Sequence, residues 1–118
     1  MKNQIKNFLE ILKLELDDLK EDIQTLKQEC EHKLKEGVIT NYVHMENMAL
    51  YDNELHAVNA FRRIVEVSEP DSFHSLDDLV IHLNGTFRTV MKACAYTEAG
   101  RIGIERKMLK VAKYVRSD

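Results

Sequence analysis

Histidine and carboxylate side chains are the groups in this sequence that could bind a metal ion. The 118 residues include five His and 20 Asp and Glu residues. Glu29 and His32 have the Glu-x-x-His spacing of di-iron helical bundles, which need two such motifs and two further Glu residues. Only one copy occurs, although a helical hairpin would bring His44 near His32. Glu29, His32 and His44 are therefore the metal-ligand candidates, but His32 falls on the outward face of its helix, so we expect no cofactor.

Two acid–histidine pairs could serve acid–base catalysis. Asp52 and His56 are four residues apart, as are Asp78 and His82. This spacing places an acid and an imidazole on one helix face, which is also common for ordinary surface pairs. No Ser or Cys nucleophile accompanies either pair at a recognisable spacing, and the sequence has no glycine-rich phosphate-binding loop. These patterns predict a protein that is not an enzyme.

Cysteine usage and the lack of long apolar runs indicate the cellular compartment. Cys30 and Cys94 lie on apolar helical stripes and form no spaced framework, so we expect two buried, reduced thiols. The N-terminal segment lacks the apolar core and the cleavage site of a signal peptide. No apolar run approaches the roughly 18 residues that a membrane span needs. We expect a cytoplasmic protein without a membrane span.

The scarcity of turn residues predicts the fold class. Four Gly and one Pro make up about 4% of the chain, against roughly 12% in ordinary proteins. A many-stranded β fold would need more of both, and a hydrophobic content of 44% excludes a wholly disordered chain. We predict one all-α domain over residues 1–118, with the architecture of a four-helix bundle.

Hydrophobic periodicity places four helices, a long N-terminal helical hairpin followed by a shorter pair. They cover about residues 2–36, 41–66, 76–97 and 100–116. Gly37 is placed to end the first helix, Thr40 to begin the second and Ser75 to begin the third. The connection between the hairpin and the shorter pair contains the only proline, Pro70.

Asn84-Gly85 leaves alternatives for the third helix. Asn-Gly between β-forming residues is the strongest short signal for a β-hairpin turn. The helical spacing of apolar residues nevertheless continues through this dipeptide, from Leu83 to Phe87. We predict a helix, with a kink or a break at Gly85 and a hairpin turn as the alternatives.

The first helix carries a heptad stripe with ordered charges beside it. Apolar residues from Leu9 to Cys30 alternate spacings of three and four residues, which is the pattern of a coiled-coil seam. Lysines occupy the e positions and acids the g positions for three heptads; these are Lys13, Lys20 and Lys27, and Glu15, Asp22 and Glu29. In a parallel pair each acid would meet the lysine five residues further along the second copy, whereas an antiparallel pair would set like charges together.

The N-terminal end of the first helix extends beyond the second helix by about eight residues, or ~12 Å. This end is too apolar to remain in water, so either the other helices of the same chain or a second copy must cover it. We predict a homodimer that forms through this part of the helix. Its candidate interaction residues are Ile5, Phe8, Leu9, Leu12, Lys13, Glu15, Leu16, Leu19, Lys20 and Asp22.

A net charge of −3 conceals a polarised chain. Residues 1–69 contain nine Lys and Arg against fourteen Asp and Glu, whereas residues 86–118 contain eight against three. In the fourth helix Arg106, Lys110 and Lys113 share the face opposite the apolar stripe. This basic face is either solvated or a docking surface for nucleic acid, an acidic partner or an anionic membrane. A pI near 6.0 and the lack of a nucleic-acid-binding motif argue against nucleic acid.

These patterns together predict a non-enzymatic helical interaction or assembly protein that self-associates through its heptad-patterned N-terminal helix. Two alternatives stay open. One is a small helical bundle that binds a metal or another ligand, and the other is a weak nucleic-acid binder that uses the basic fourth helix. The sequence also leaves open whether the chain itself or a second subunit fills the apolar stripe of the first helix.

Overall fold

The computed structural model describes residues 2–117. Its helices are α1 (Lys2–Lys35), α2 (Asn41–Glu66), α3 (Leu76–Cys94) and α4 (Glu98–Ser117), with a 3-10 turn at Pro70–Ser72 between α2 and α3. No strand occurs within these residues. The predicted all-α fold with four helices is confirmed. None of the helices in the described part of the chain is long and apolar enough to cross a membrane.

The helix boundaries around the hairpin turn and before α3 form where the sequence predicts them. Gly37 follows α1 with a φ of +73°, a left-handed conformation that glycine adopts without strain. The Thr40 hydroxyl accepts a hydrogen bond from the Val43 amide (3.2 Å), which caps the start of α2. In the same way Ser75 accepts from the Asp78 amide (3.2 Å) at the start of α3. These three predicted boundaries are confirmed.

The third helix runs without interruption through Asn84 and Gly85. The helix prediction is therefore confirmed, and the hairpin-turn alternative is wrong. Leu83 and Phe87 lie one turn apart and are both buried in the core. Their burial outweighs the roughly 1 kcal/mol that a glycine costs in a helix interior.

α3 ends at Cys94, although the sequence pattern predicts a helix to residue 97. Ala95 takes a left-handed conformation with a φ of 54°, which stops the helix. The Thr97 hydroxyl then accepts from the Gly100 amide (3.3 Å) in the first turn of α4. The Thr97 amide donates to the Asn53 side chain of α2 (2.9 Å). This hydrogen bond ties the start of α4 to the middle of α2.

One hydrophobic core joins all four helices. α1 contributes buried side chains from Ile5 to Ile23, whereas α2 contributes them only from Ala57 onward. Between α2 and α3 the rings of Phe61 and Phe87 pack with their centroids 4.9 Å apart. We call this four-helix part of the molecule the body. Other fully buried side chains in the body include Phe8, Leu12, Leu16, Leu79, Ile104 and Met108.

The hairpin of α1 and α2 projects beyond the body as a two-helix arm, which we define as residues 22–54. The molecule is accordingly 54 Å long but only 30 Å by 19 Å across. Only Ile23 and Cys30 are buried among the side chains of the arm. Apart from Asn53 and Glu54, which lie against the start of α4, the arm is thus a single layer of two helices.

Polar side-chain pairs between α1 and α2 follow the register of the hairpin. Each pair joins one side chain of α1 to one of α2. The three pairs are spaced along the hairpin from the body to the tip of the arm. These pairs are Asp17–Arg62 (2.7 Å), Lys27–Asp52 (2.6 Å) and Glu31–His44 (3.0 Å).

Candidate interaction surfaces

The apolar stripe of α1 is filled within the chain over its N-terminal half. α4 runs antiparallel to α1 and covers the end that overhangs α2, as the contacts of Glu15 with Lys107 and of Gln4 with Val115 indicate. Of the two alternatives for this stripe, cover by the chain itself is the one observed. Self-association through these residues stays a prediction, and it would require α4 to leave α1. The predicted interaction residues in this core are Ile5, Phe8, Leu9, Leu12, Leu16 and, partly buried, Leu19.

Two of the charges predicted to pair between copies are paired within the chain. Glu15 accepts hydrogen bonds from Lys110 (3.0 Å) and Lys107 (3.1 Å) of α4. These two bonds hold the pKa of the Glu15 carboxyl below its usual range. Lys27 pairs with Asp52 of α2 at 2.6 Å. Of the remaining predicted charges, Lys13 and Lys20 are half-buried, whereas Asp22 and Glu29 are exposed.

The candidate metal ligands do not converge. His44 Nε2 lies 3.0 Å from Glu31 Oε1, and His32 Nε2 lies 2.9 Å from Glu36 Oε1. Glu29 is exposed and belongs to neither pair. Within residues 2–117 no group of three or more His, Cys, Asp and Glu side chains is arranged to hold a metal ion.

The two acid–histidine pairs likewise do not form. Asp52 makes an ion pair with α1 instead, and His56 is exposed. The His82 ring packs against Phe73, with the ring centroids 5.2 Å apart, while the Asp78 side chain faces solvent. In each pair, therefore, the acid and the imidazole share a helix face, but no hydrogen bond joins them in the described part of the chain.

The two cysteines differ in their exposure. Cys30 is buried, as predicted, but the prediction of a buried Cys94 is wrong, because this residue is exposed. Cys94 lies in the last turn of α3, beyond the point where the core ends. Burial, and then a hydrogen bond with Cys94, raise the pKa of Tyr96. Because Cys94 belongs to the apolar stripe of α3 but is exposed, this stripe extends beyond the helices that cover it.

The basic face of α4 also carries exposed apolar residues, which the sequence pattern did not single out. Arg106 and Lys113 are exposed and have no ion-pair partner among residues 2–117, whereas Lys110 reaches back to α1. Ile102 and Leu109 are 41% and 61% exposed. At 100° per residue the two unpaired cations and the two exposed apolar residues fall on one outward-facing line along α4. We call this line the α4 stripe, which comprises Ile102, Arg106, Leu109 and Lys113.

The arm carries an apolar surface that continues a row of the core along α1. In the heptad row of Leu12, Leu19 and Leu26, the first residue is buried and the second is partly buried. Leu26, the third, is 41% exposed. The row does not change in chemistry from the body to the arm, so the increase in exposure reflects the loss of covering helices.

The same change occurs along α2. Ala57 is buried, whereas Leu50 and Val43, one and two heptads closer to the tip, are 42% and 39% exposed. A Cβ built on Gly100 would lie 3.7 Å from the Ala57 Cβ and 3.9 Å from the Glu54 Cα. α4 therefore begins level with these residues, and the part of this face closer to the tip has no cover. We call this exposed surface the arm strip, which comprises Leu26, Val43 and Leu50.

Acidic residues border the arm strip on both helices. At 100° per residue Asp22 and Glu29 lie within about 60° of Leu26 on α1. On α2, Glu46 lies within about 60° of Val43 and Leu50. All three carboxylates are exposed and have no ion-pair partner among the described residues. The exposed Lys33 follows Leu26 in the same row of α1, so the arm strip is an apolar patch with a mainly acidic rim.

These features define a helical protein with a four-helix body, a projecting arm with an acidic rim, and a basic outer helix face. Comparisons of the chain with protein-family models, curated proteins and solved structures find no match. Its function therefore has to be argued from these surfaces.

Proposed function

We propose that this protein is a non-enzymatic helical interaction protein that self-associates through the arm of its N-terminal hairpin. The observation that carries the proposal is the exposure of core rows on the arm. Leu26, Val43 and Leu50 share helix faces with buried core residues, yet each is about 40% exposed. Exposed apolar residues that are grouped on one face typically mark an interaction site.

The chemistry of the rest of the arm supports the same proposal. Half of the twelve large hydrophobic residues that are exposed in the described chain belong to the arm. The six arm residues are Leu26, Val38, Tyr42, Val43, Met45 and Leu50.

The size of the surface indicates a transient contact rather than an obligate one. Each helix of the arm contributes about 20 Å of length at 1.5 Å per residue, and two helices side by side are about 20 Å wide. A face of ~400 Å² is smaller than the ~800 Å² per partner of a standard stable interface. We therefore expect reversible association in the micromolar range rather than an obligate dimer.

Light scattering on a concentration series tests this proposal. The average mass of the wild-type protein should rise between about 1 and several hundred micromolar, the range expected for an interface of this size. Leu26→Asn with Leu50→Asn should keep the protein monomeric over that range, because both changes remove apolar surface from the arm strip. Ile81→Asn, on α3 of the body and 70% exposed, is the matched control and should leave the mass of the assembly unchanged. A wild-type protein that stays monomeric at the highest concentration would refute self-association.

A further inference from the structure

The arm and α4 carry opposite charges of the same size. Residues 22–54 contain three Lys against seven Asp and Glu, a net of −4. Residues 98–117 contain six Lys and Arg against two Glu, a net of +4. The arm and α4 are therefore complementary in net charge to each other and not to themselves.

The exposed apolar residues on these two elements lie within matching rims. The arm strip is bordered by the unpaired carboxylates of Asp22, Glu29 and Glu46. Along the α4 stripe, Ile102 and Leu109 alternate with the unpaired cations Arg106 and Lys113. Each surface thus combines exposed apolar residues with charges opposite to those of the other surface.

The contact of α1 with α4 inside the body shows how these two helices pack together. Glu15, in the g row of α1, accepts hydrogen bonds from Lys107 and Lys110 of α4. Asp22 and Glu29 continue the same row of α1 onto the arm, towards and beyond the level at which α4 of the same chain begins. A helix with the charge of α4 placed on the arm would therefore extend an acid–lysine contact that already exists within the chain.

Two arms packed against each other would not have this advantage. A twofold contact between identical surfaces would bring two acidic rims together, and facing like charges disfavour such a contact. Two α4 stripes would bring cations together for the same reason.

We propose that the arm strip of one copy binds the α4 stripe of a second copy. This inference rests on the proposed self-association and names the surface that the arm recognises. The contact is heterologous, because each copy uses a different surface, and it leaves one free arm and one free α4 stripe at the ends of each assembly. Such a contact produces either a closed ring or an open chain of copies rather than a simple twofold dimer.

Charge reversal on each surface provides the test. Glu29→Lys with Glu46→Lys makes the rim of the arm basic, and Arg106→Glu with Lys113→Glu makes the α4 stripe acidic. Either double variant alone should associate at least tenfold more weakly than the wild type in sedimentation or light scattering, because its two surfaces then carry the same charge. An equimolar mixture of the two variants should regain the mass of the wild-type assembly, because each arm again finds an oppositely charged stripe.

A matched control separates this effect from a change in net charge. Glu10→Lys with Asp18→Lys reverses two exposed acids of α1 outside the arm and should leave the association unchanged. Circular dichroism should confirm that all variants keep their helices.

The outcomes distinguish the inference from the function on which it rests. If the wild type associates but the α4 reversal has no effect, the inference is overturned and pairing between arms remains. If the mixture does not regain mass, the inference is also overturned. If the wild type is monomeric throughout, self-association itself is refuted.

Discussion

At the scale of single residues, Glu15 is the carboxylate that links α1 to α4. Hydrogen bonds from Lys110 and Lys107 lower its pKa in the folded protein, so the ionised form is stabilised by folding. The resulting contribution to stability is fully present at neutral pH and is lost as the solution is acidified through the lowered pKa, below about pH 4.

Replacement of this carboxylate should therefore have a pH-dependent effect. Glu15→Gln should lower the free energy of unfolding by about 0.5–1 kcal/mol at pH 7, and the difference from the wild type should be smaller at pH 2. Urea unfolding at the two pH values measures it. Glu10→Gln, an exposed acid on the same helix, should cost less at pH 7. An equal loss for Glu15→Gln at both pH values would contradict an origin in the ionised carboxylate.

Leu12 and Leu14 provide a second test at the residue scale. Leu12 is fully buried in the body, whereas Leu14 is 64% exposed on the same helix. Leu12→Ala should lower the free energy of unfolding by about 2–5 kcal/mol because it leaves a cavity, and Leu14→Ala should change it by less than about 0.5 kcal/mol. Chemical unfolding at 1 and 100 micromolar protein should give the same loss for Leu12→Ala. A loss that depends on concentration would instead indicate that Leu12 packs against a second copy.

At the scale of the helices, two residues with positive φ end α1 and α3. Gly37 adopts this conformation without strain, and a Cβ built there would meet no atom within 4 Å. Ala95 adopts the same region with a Cβ, which costs about 1 kcal/mol or more. Both helices therefore end in a left-handed residue, a conformation that glycine adopts without strain and alanine does not.

Exchange of these two residue types gives a paired prediction. Gly37→Ala should lower the free energy of unfolding by about 1 kcal/mol, because only the backbone conformation is penalised. Ala95→Gly should raise it by about 0.5 kcal/mol, since relief of the left-handed strain exceeds the added entropy of the unfolded chain. Thermal unfolding of both variants measures the two shifts. Destabilisation by Ala95→Gly would show that Ala95 is not strained.

The helices themselves could be predicted from the sequence because their signals are local. Gly37, Thr40 and Ser75 each act on the backbone within four residues, and all three predicted boundaries form. The end of α3 could not be predicted, because Ala95 carries no glycine signal and the Thr97–Asn53 hydrogen bond that follows it joins segments distant in the sequence. Local patterns do not contain such information.

The candidate surface was harder to predict for a related reason. The heptad row of Leu12, Leu19 and Leu26 is uniform in sequence, so its periodicity identifies an apolar face but not which part of that face is covered. That depends on where α4 begins relative to α2, which the packing of Gly100 against Ala57 sets. The sequence pattern placed the interaction residues at the N-terminal end, whereas the exposed part of the row lies on the arm.

At the scale of the whole molecule, the body and the arm should differ in local stability. The body buries side chains between four helices, whereas only Ile23 and Cys30 are buried in the arm. Segments with few buried apolar contacts open at lower free energy than the core of the same protein. The arm should therefore open locally while the body stays folded, and any contact that covers the arm strip should suppress this opening.

Hydrogen exchange at two protein concentrations tests this expectation. At about 1 micromolar, where an interface of this size is largely dissociated, amides of the arm near Leu26 and Leu50 should exchange much faster than the Leu83 amide of α3. At several hundred micromolar the arm amides should slow by roughly tenfold, because covering the arm strip stabilises the closed arm by mass action. The Leu83 amide, in the fully buried part of the body, is the internal reference and should show a smaller change. Arm amides that exchange at the same rate at both concentrations would mean that association does not cover the arm.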